Sequence, residues 1–314
     1  MDWSDRIGRR LKPRDLHVFL AVAEQGNMAK AADSLAISRP VVSKTIADLE
    51  RTLGVRLFDR SPQGVEPTLY GRALLRRSVA VFDELRQSVN EIAFLADPTA
   101  GELRVGCPEV MAAGFVSAII ERLATRYPKL VFHTELGTIS SLQIHSLRER
   151  KCELAIGRTY TSTPAPDMNV EALFRERLFV VAGPQNRWVG RRKIALTQLV
   201  DERWILAPGE MEPEAPVAAA FRAIGVAAPR GTIWSSSLNL RNSLLATGRF
   251  LTVIPGSVLR FGSHPVLHKV LPIELPRWRL PVAIITLKNR TVSPAAQLFI
   301  DHARELAKPL AKDH

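Results

Sequence analysis

Arg39, Ser43 and Lys44 share one face of a short segment that reads as a helix. These side chains can do recognition chemistry. A guanidinium in the first turn of such a helix can bond guanine O6 and N7 as a pair, and Ser43 and Lys44 can reach a base edge or a phosphate. Arg51 lies further along the same face, and Arg56 and Arg60 fall on a predicted hairpin, where they would meet a sugar–phosphate backbone. The face suits a helix entering a major groove N-terminal end first.

The elements that must position these residues are legible from residue 12 to residue 68. Lys12 to Gln25 is a first helix with Leu16, Phe19, Leu20 and Ala23 as its stripe. A second helix runs from Met28 to Leu35, with Asn27 as its side-chain cap. Its Ala31 and Ala32 allow close approach of another helix. Ala36 and Ile37 make a tight turn. Ser38 then caps a third helix that carries Pro40 in its first turn, where a missing N–H costs nothing, and ends at Gly54. Val42, Ile46, Leu49 and Leu53 are its buried stripe. Val55 to Asp59 and Val65 to Thr68, joined through Ser61-Pro62-Gln63-Gly64, read as a two-stranded wing. The plainer alternative is a helical hairpin with a merely solvated polar face, and pattern alone does not separate the two.

Residues 11–71 resemble the winged helix-turn-helix of the LysR-type transcriptional regulators. The matching residues are Leu16, Phe19, Ala23, Gly26, Ala31-Ala32, Leu35, Ser38, Pro40, Val42-Ser43, Ile46, Leu49-Glu50, Leu53-Gly54, Leu57-Phe58, Arg60, Thr68 and Gly71. The resemblance implies DNA contacts from Asn27, Ser38, Arg39, Pro40, Ser43, Lys44, Arg51, Arg56, Arg60 and Thr68. Two positions depart from the pattern. Arg39 replaces the usual Gln after the cap serine, which changes the expected target sequence, and Asn27 replaces a serine that also caps.

The chain of 314 residues carries a net charge of +12. Residues 1–95 hold 15 Lys+Arg and 12 Asp+Glu, and residues 96–314 hold 28 and 19, so most of the excess lies outside the helix-turn-helix. The motif, not the charge, carries the DNA-binding reading. No run of eighteen apolar residues suggests a membrane span, and the N-terminus has no apolar secretory region, so a cytoplasmic location is expected. Cys107 and Cys152 lack metal spacing. They are expected at opposite ends of a parallel sheet, too far apart to bond.

Gly71 to Ala96 reads as one long helix, with Leu75, Phe82, Leu85, Val89 and Ile92 at a 3.5-residue rhythm and Ser78 filling the gap. The alternative is a long helix packed on its own domain. The resemblance favours a dimer seam, since this family's linker helix pairs two subunits. Asp97 to Gly101 ends it.

From Gly101 strands and helices alternate, first as βαβαβ, which predicts a parallel sheet covered by helices. A strand at Leu178–Ala182 then crosses to a second unit, and Pro309 is expected to end the last helix. Gly101–Gly106, Tyr127-Pro128, Glu153–Gly157 (Glu where the family usually has Asp) and Leu251–Pro255 resemble segments of the family's effector domain, in order. The implied fold class is α/β: an N-terminal winged helix-turn-helix (11–70), a linker helix (71–97) and a two-subdomain effector domain (101–314) like a periplasmic binding protein. Subdomain I would take about 101–173 plus 267–314, and subdomain II about 174–266. Pro67–Gly71 and the extended N-terminus resemble the branch named for a galactose-binding-protein regulator.

Phosphate-loop, metalloprotease and nucleophile-elbow motifs are missing, and no cofactor is expected. Pro265 between His264 and His268 argues against a helical metal pair. Glu210, Glu212 and Glu214 read as a solvated loop. Ligands of α/β sheets sit beyond the carboxyl ends of the strands. That points to Cys107, Glu109, Arg158, Pro208, Ser235, Ser236 and Ser237, with Arg158 and the helix start after the serines favouring an anion. For the serines a plain helix cap is the equal alternative. The expected protein is a transcriptional regulator, not an enzyme. Its expected partners are double-stranded DNA with an imperfect inverted repeat, an anionic small effector, its own copies as a dimer or dimer of dimers, and RNA polymerase, with no membrane. The competing readings are an enzyme with an appended helix-turn-helix and an effector-independent DNA-binding protein.

Overall fold

The structure is a computed structural model. It describes residues 10–62, 64–159, 165–211, 215–226, 229, 232–262, 266–273 and 279–312. The chain divides into two compact units, Met1–Ser88 and Val89–His314.

In the first unit, α1 (Pro13–Gln25), α2 (Met28–Ser34) and α3 (Arg39–Leu53) pack around Phe19, Val22, Ala31, Val42, Ile46 and Leu49. Gly26 and Gly54 end α1 and α3 in the left-handed conformation that glycine adopts without strain. Ala36, at φ 53°, takes the same conformation in the turn between α2 and α3. Strands β1 (Phe58–Ser61) and β2 (Gly64–Pro67) pair antiparallel, with Phe58 opposite Pro67. The wing starts three residues later than its apolar pattern suggests. The Val55 amide bonds the Glu50 carbonyl (3.2 Å) and the Leu57 amide bonds Glu50 Oε1 (2.8 Å), so neither joins the ladder.

Helix α4 (Leu69–Ala96) runs through the boundary between the units. Gly71 is needed at its start, because an added Cβ would strike the Leu57 carbonyl. Three residues of the expected seam are engaged within their own domain instead. Leu75 packs on the helix-turn-helix core, Phe82 stands 5.6 Å from the His17 ring, and Ser78 is buried. These side chains hold the helix to its own domain. Val81, Leu85, Val89, Ile92 and Leu95 form the exposed apolar stripe.

The second unit is built on one mixed sheet whose strands lie in the order 129–136, 100–107, 154–158, 279–287, 168–182, 250–255, 203–206 and 233–234, with 269–270 also pairing 168–182. Strands β3 (Ala100–Cys107), β4 (Lys129–Leu136) and β5 (Leu154–Arg158) are parallel, as are β7 (Arg203–Leu206), β8 (Ile233–Trp234) and β9 (Phe250–Pro255). The parallel sheet expected of the first three strands is present, and the second triplet is parallel too. Strands β6 (Met168–Ala182) and β11 (Arg279–Leu287) run antiparallel to their neighbours. Up to Arg177, β6 pairs with β11; from Leu178 it pairs with β9. One strand thus belongs to both halves. β10 (Lys269–Val270) pairs with Ala182 and Val181, so residues 269–270 go with the second half, not the first.

The helix after β3 starts at Glu109, passes through a π-turn at Ala112–Val116 and continues as α5 (Ser117–Arg126). In the second half, α6 (Pro216–Ala223) packs Phe221 against Trp204, with ring centroids 5.4 Å apart. Helices α7 (Leu238–Leu245) and α8 (Gly256–Phe261) flank β9 in sequence. The last helix, α9 (Pro294–Lys312), continues past Pro309, which removes one amide bond without ending the helix. Its Phe299, Ala303 and Leu306 join the first half's core with Leu103, Phe115 and Val282.

The two cysteines are free and buried. The sheet itself separates them. Cys107 packs with Leu103 and Phe115 on one face. Cys152 packs with Leu142 and Leu147 on the other, where a Cβ on Gly106 would meet its Sγ at 3.3 Å. The expected placement at opposite ends of the sheet is corrected accordingly. Burial pushes both thiols up to about 12, which keeps them protonated and unreactive.

Candidate DNA interface and effector site

Arg39, Pro40, Val41 and Lys44 are exposed in the first two turns of α3, while Val42 and Ile46 beneath them are fully buried. The helix therefore presents a basic, N-terminal face on a rigid base. Asn27 Oδ1 accepts from the amides of Ala29 (2.8 Å) and Lys30 (3.2 Å), the expected cap. Ser38 occupies the cap position of α3 but its hydroxyl makes no cap bond, contrary to expectation. The Ser43 hydroxyl turns inward and donates to Met28 Sδ at 3.4 Å. Arg51 is exposed and pairs with Asp48 at 2.8 Å. Arg56 and Arg60 are exposed on the wing side. Thr68 is occupied locally: its hydroxyl donates to the Arg56 carbonyl (2.8 Å) and accepts from the Gly71 amide (3.0 Å), which caps α4.

In the second unit the carboxyl ends of both strand triplets meet in one apolar cluster. Val110, just after β3, packs with Leu238, Ile254 and Val258. The π-turn fits there only because residue 114 is glycine; a Cβ would stand 3.0 Å from the Ser257 backbone. Cys107 is fully buried in the core and does not face this junction as expected. Glu109 is half-buried in the first helical turn, and Pro208 is exposed at the end of β7. Ser237 Oγ accepts from the Leu240 amide (3.3 Å) and caps α7, and Ser235 Oγ accepts from the Ser237 amide (3.1 Å) in the turn before it. Ser236 is exposed.

Arg158 ends β5 and is only 9 % exposed, and its Nη1 is buried with no hydrogen-bond partner. A buried guanidinium nitrogen without a hydrogen-bond partner is costly, and a ligand carboxylate would relieve that cost. Its neighbouring charge is Glu176, 2 % exposed, which accepts from the Ser257 amide (3.0 Å) and hydroxyl (2.7 Å). Burial pushes the Glu176 carboxyl up; the Ser257 bonds and the Arg158 charge pull it partly back.

Two charged residues read as solvated, or not read at all, prove central. Glu210 is buried, not solvated, and pairs with buried Arg241 at 3.3 Å. Arg241 also donates to the carbonyls of Ser235 (3.0 Å) and Val253 (3.2 Å), and Glu210 accepts from the Ala207 amide (2.8 Å). The pair thus ties the ends of β7, β8 and β9 together. Glu212, Glu214 and His264 lie outside the described residues. His268 bonds Asn242 at 2.8 Å, and no cluster of three metal-binding side chains occurs among the described residues.

Comparison with known proteins assigns both units. Residues 13–72 match the bacterial regulatory helix-turn-helix of the lysR family, and residues 96–308 match the LysR substrate binding domain. The chain belongs to the LysR family. It is a LysR-type transcriptional regulator, a DNA-binding protein with a domain for a small-molecule effector. Among LysR-family relatives, it is 31 % identical to the regulator GbpR of Azospirillum brasilense over 92 % of this chain and 84 % of that one. It is 28 % identical to TdcA of Escherichia coli K12 over 94 % and 93 %. The fold matches full-length CbnR in complex with its target DNA, with a TM-score of 0.66 at 22 % identity, covering 94 % of this chain and 99 % of that one. A full-length OxyR variant of Pseudomonas aeruginosa gives a TM-score of 0.65 at 22 % identity, covering 94 % and 95 %.

Proposed function

We propose that this LysR-type regulator reads an imperfect inverted repeat with the N-terminal face of α3. Arg39 and Lys44 would supply base contacts, with Ser43 a minor contributor since its hydroxyl is turned inward. Arg51, Arg56 and Arg60 would hold phosphate. Asn27, Ser38, Pro40 and Thr68 shape the helix ends that present them. The observation that carries this reading is the exposed pair Arg39 and Lys44 over fully buried Val42 and Ile46. Residues 11–70 would act as the DNA-binding domain, 71–97 as the pairing helix, and 101–314 as the effector domain. The halves of that domain would be 101–173 plus 267–314 and 174–266; the change of partner along β6 at Leu178 and the pairing of β10 with β6 support joints nearer Leu178 and beyond Val270. The effector would lie by Glu109, Arg158, Pro208 and Ser236, with an acid group on Arg158. The protein would act without catalysis, in the cytoplasm, as a dimer or dimer of dimers that meets RNA polymerase.

A selection for bound DNA sequences tests the docking. Arg39→Ala is expected to cost about 1–3 kcal/mol and relax preference at one base pair. Arg60→Ala weakens all sequences alike and flattens the salt dependence. Unchanged base preference in Arg39→Ala overturns the docking.

A further inference from the structure

The middle of β6 forms one wall of a crevice of about 420 Å³, within the size range of small-molecule sites. Arg175, Arg177 and Arg260 line it, together with apolar surface from Phe179, Leu259 and Leu310. None of these residues belongs to the strand ends assigned above to the effector. The crevice opens instead where β6 passes from one half to the other, bounded by α8 of the second half and the end of α9.

Its charge is one-sided. Arg175 and Arg177 are exposed, two residues apart on one face of β6, and their side chains form no hydrogen bond or ion pair among the described residues. Side chains two apart on a strand point to the same face, so the two guanidinium groups repel each other with no acid between them. The acid among the lining residues, Glu176, is buried and already holds Ser257. Arg177 also lies over the Phe179 ring, 4.8 Å from its centroid, which fixes the guanidinium beside the apolar wall.

We propose that this crevice is a second anion site, separate from the effector site, for a small organic dianion with an apolar body. Two carboxylates or a phosphate would turn the repulsion between Arg175 and Arg177 into charge-assisted hydrogen bonds, and the apolar body would cover Phe179, Leu259 and Leu310. A ligand here touches the strand common to both halves. It therefore acts on regulation to the extent that it favours one arrangement of those halves over another.

The test is titration calorimetry on the full-length protein at low salt, with phthalate as probe, inorganic phosphate as a second anion and benzene-1,2-dimethanol as the neutral counterpart. Saturable binding of phthalate but not of the diol is expected. Arg175→Gln/Arg177→Gln is expected to weaken phthalate at least tenfold while its unliganded melting temperature stays at or above wild type, since repulsion is removed. Arg175→Lys/Arg177→Lys, which keeps the charge, retains binding within a few-fold and covers the case where the glutamine variant folds poorly. Arg158→Met retains phthalate binding. No saturable binding of either anion to wild type, or equal phthalate binding in the glutamine variant, overturns the proposal. Loss in Arg158→Met with retention in the glutamine variant places the anion at the effector site and also overturns it, while leaving the effector reading intact.

Discussion

Arg241 Nη1 stands 3.3 Å from Glu210 Oε1, with the two side chains 1 % and 3 % exposed. Breaking a buried pair leaves one charge without its partner, at a cost of about 3–5 kcal/mol. Arg241→Met or Glu210→Leu alone should therefore lower the stability of the effector domain by about that much. The double variant should recover most of it, because neither charge then remains. Chemical denaturation of the three variants checks this. Purely additive losses would mean that the bonds to Ser235 and Val253, and not the ion pair, are what matter.

Glu176 gives a pH dependence of definite sign. Burial raises its carboxyl above the ordinary value of 4.5. The folded protein keeps the proton over a range in which the unfolded chain has released it. The stability this contributes is full below 4.5 and is lost as the pH climbs through the raised folded value. Wild-type stability relative to Glu176→Gln should thus fall with rising pH across that window and be level on either side. Urea unfolding at a series of pH values measures it. A difference that grows with pH would show that Ser257 and Arg158 outweigh burial.

Arg158→Ala should abolish the response to the effector in a reporter assay and leave operator binding without effector nearly unchanged. Loss of both activities would show that Arg158 supports the fold. A full response to a neutral sugar in the variant would remove the acid group from the proposal.

The exposed stripe on α4 should govern assembly. Leu85 and Val89 are 49 % and 66 % exposed. Replacing both with Asp should abolish the dimer and operator binding together, because two linked heads gain greatly over one. Sedimentation of the double variant as a dimer would place the interface elsewhere. Leu75→Asp should instead unfold the helix-turn-helix, since that residue packs on its core.

The helix-turn-helix was legible because its signals are local. Asn27, Pro40 and Gly54 mark helix ends, and Val42, Ile46 and Leu49 mark a face; all act within a few residues. The first part of β6 was not legible. The charges of Glu171, Arg175, Glu176 and Arg177 mark no strand locally, and only pairing with distant β11 makes it one. The seam was misdrawn for a related reason. A heptad rhythm locates apolar residues on a helix without saying which neighbour each one meets, and Leu75 and Phe82 meet their own domain. Arg241 did leave a signal. Leu238, Arg241 and Leu245 share one buried face of α7, so a charged residue at the middle position had to find a buried partner. Nothing local identified Glu210 as that partner, 31 residues away.

The place of β11 and α9 after the second half in sequence bears on biosynthesis. The second half draws its core from Leu178 to Leu271, a continuous run, whereas the first half needs Leu103 at one end and Ala307 at the other. Chains emerge from the ribosome N-terminus first, at about 5–20 residues per second. The half encoded later is therefore completed earlier. Strands β3, β4 and β5 wait through its synthesis, with apolar surface uncovered, until β11 and α9 arrive. A chain cut short before α9 would leave a finished second half joined to a first half in which Leu103 and Phe115 lack the packing of Phe299, Ala303 and Leu306.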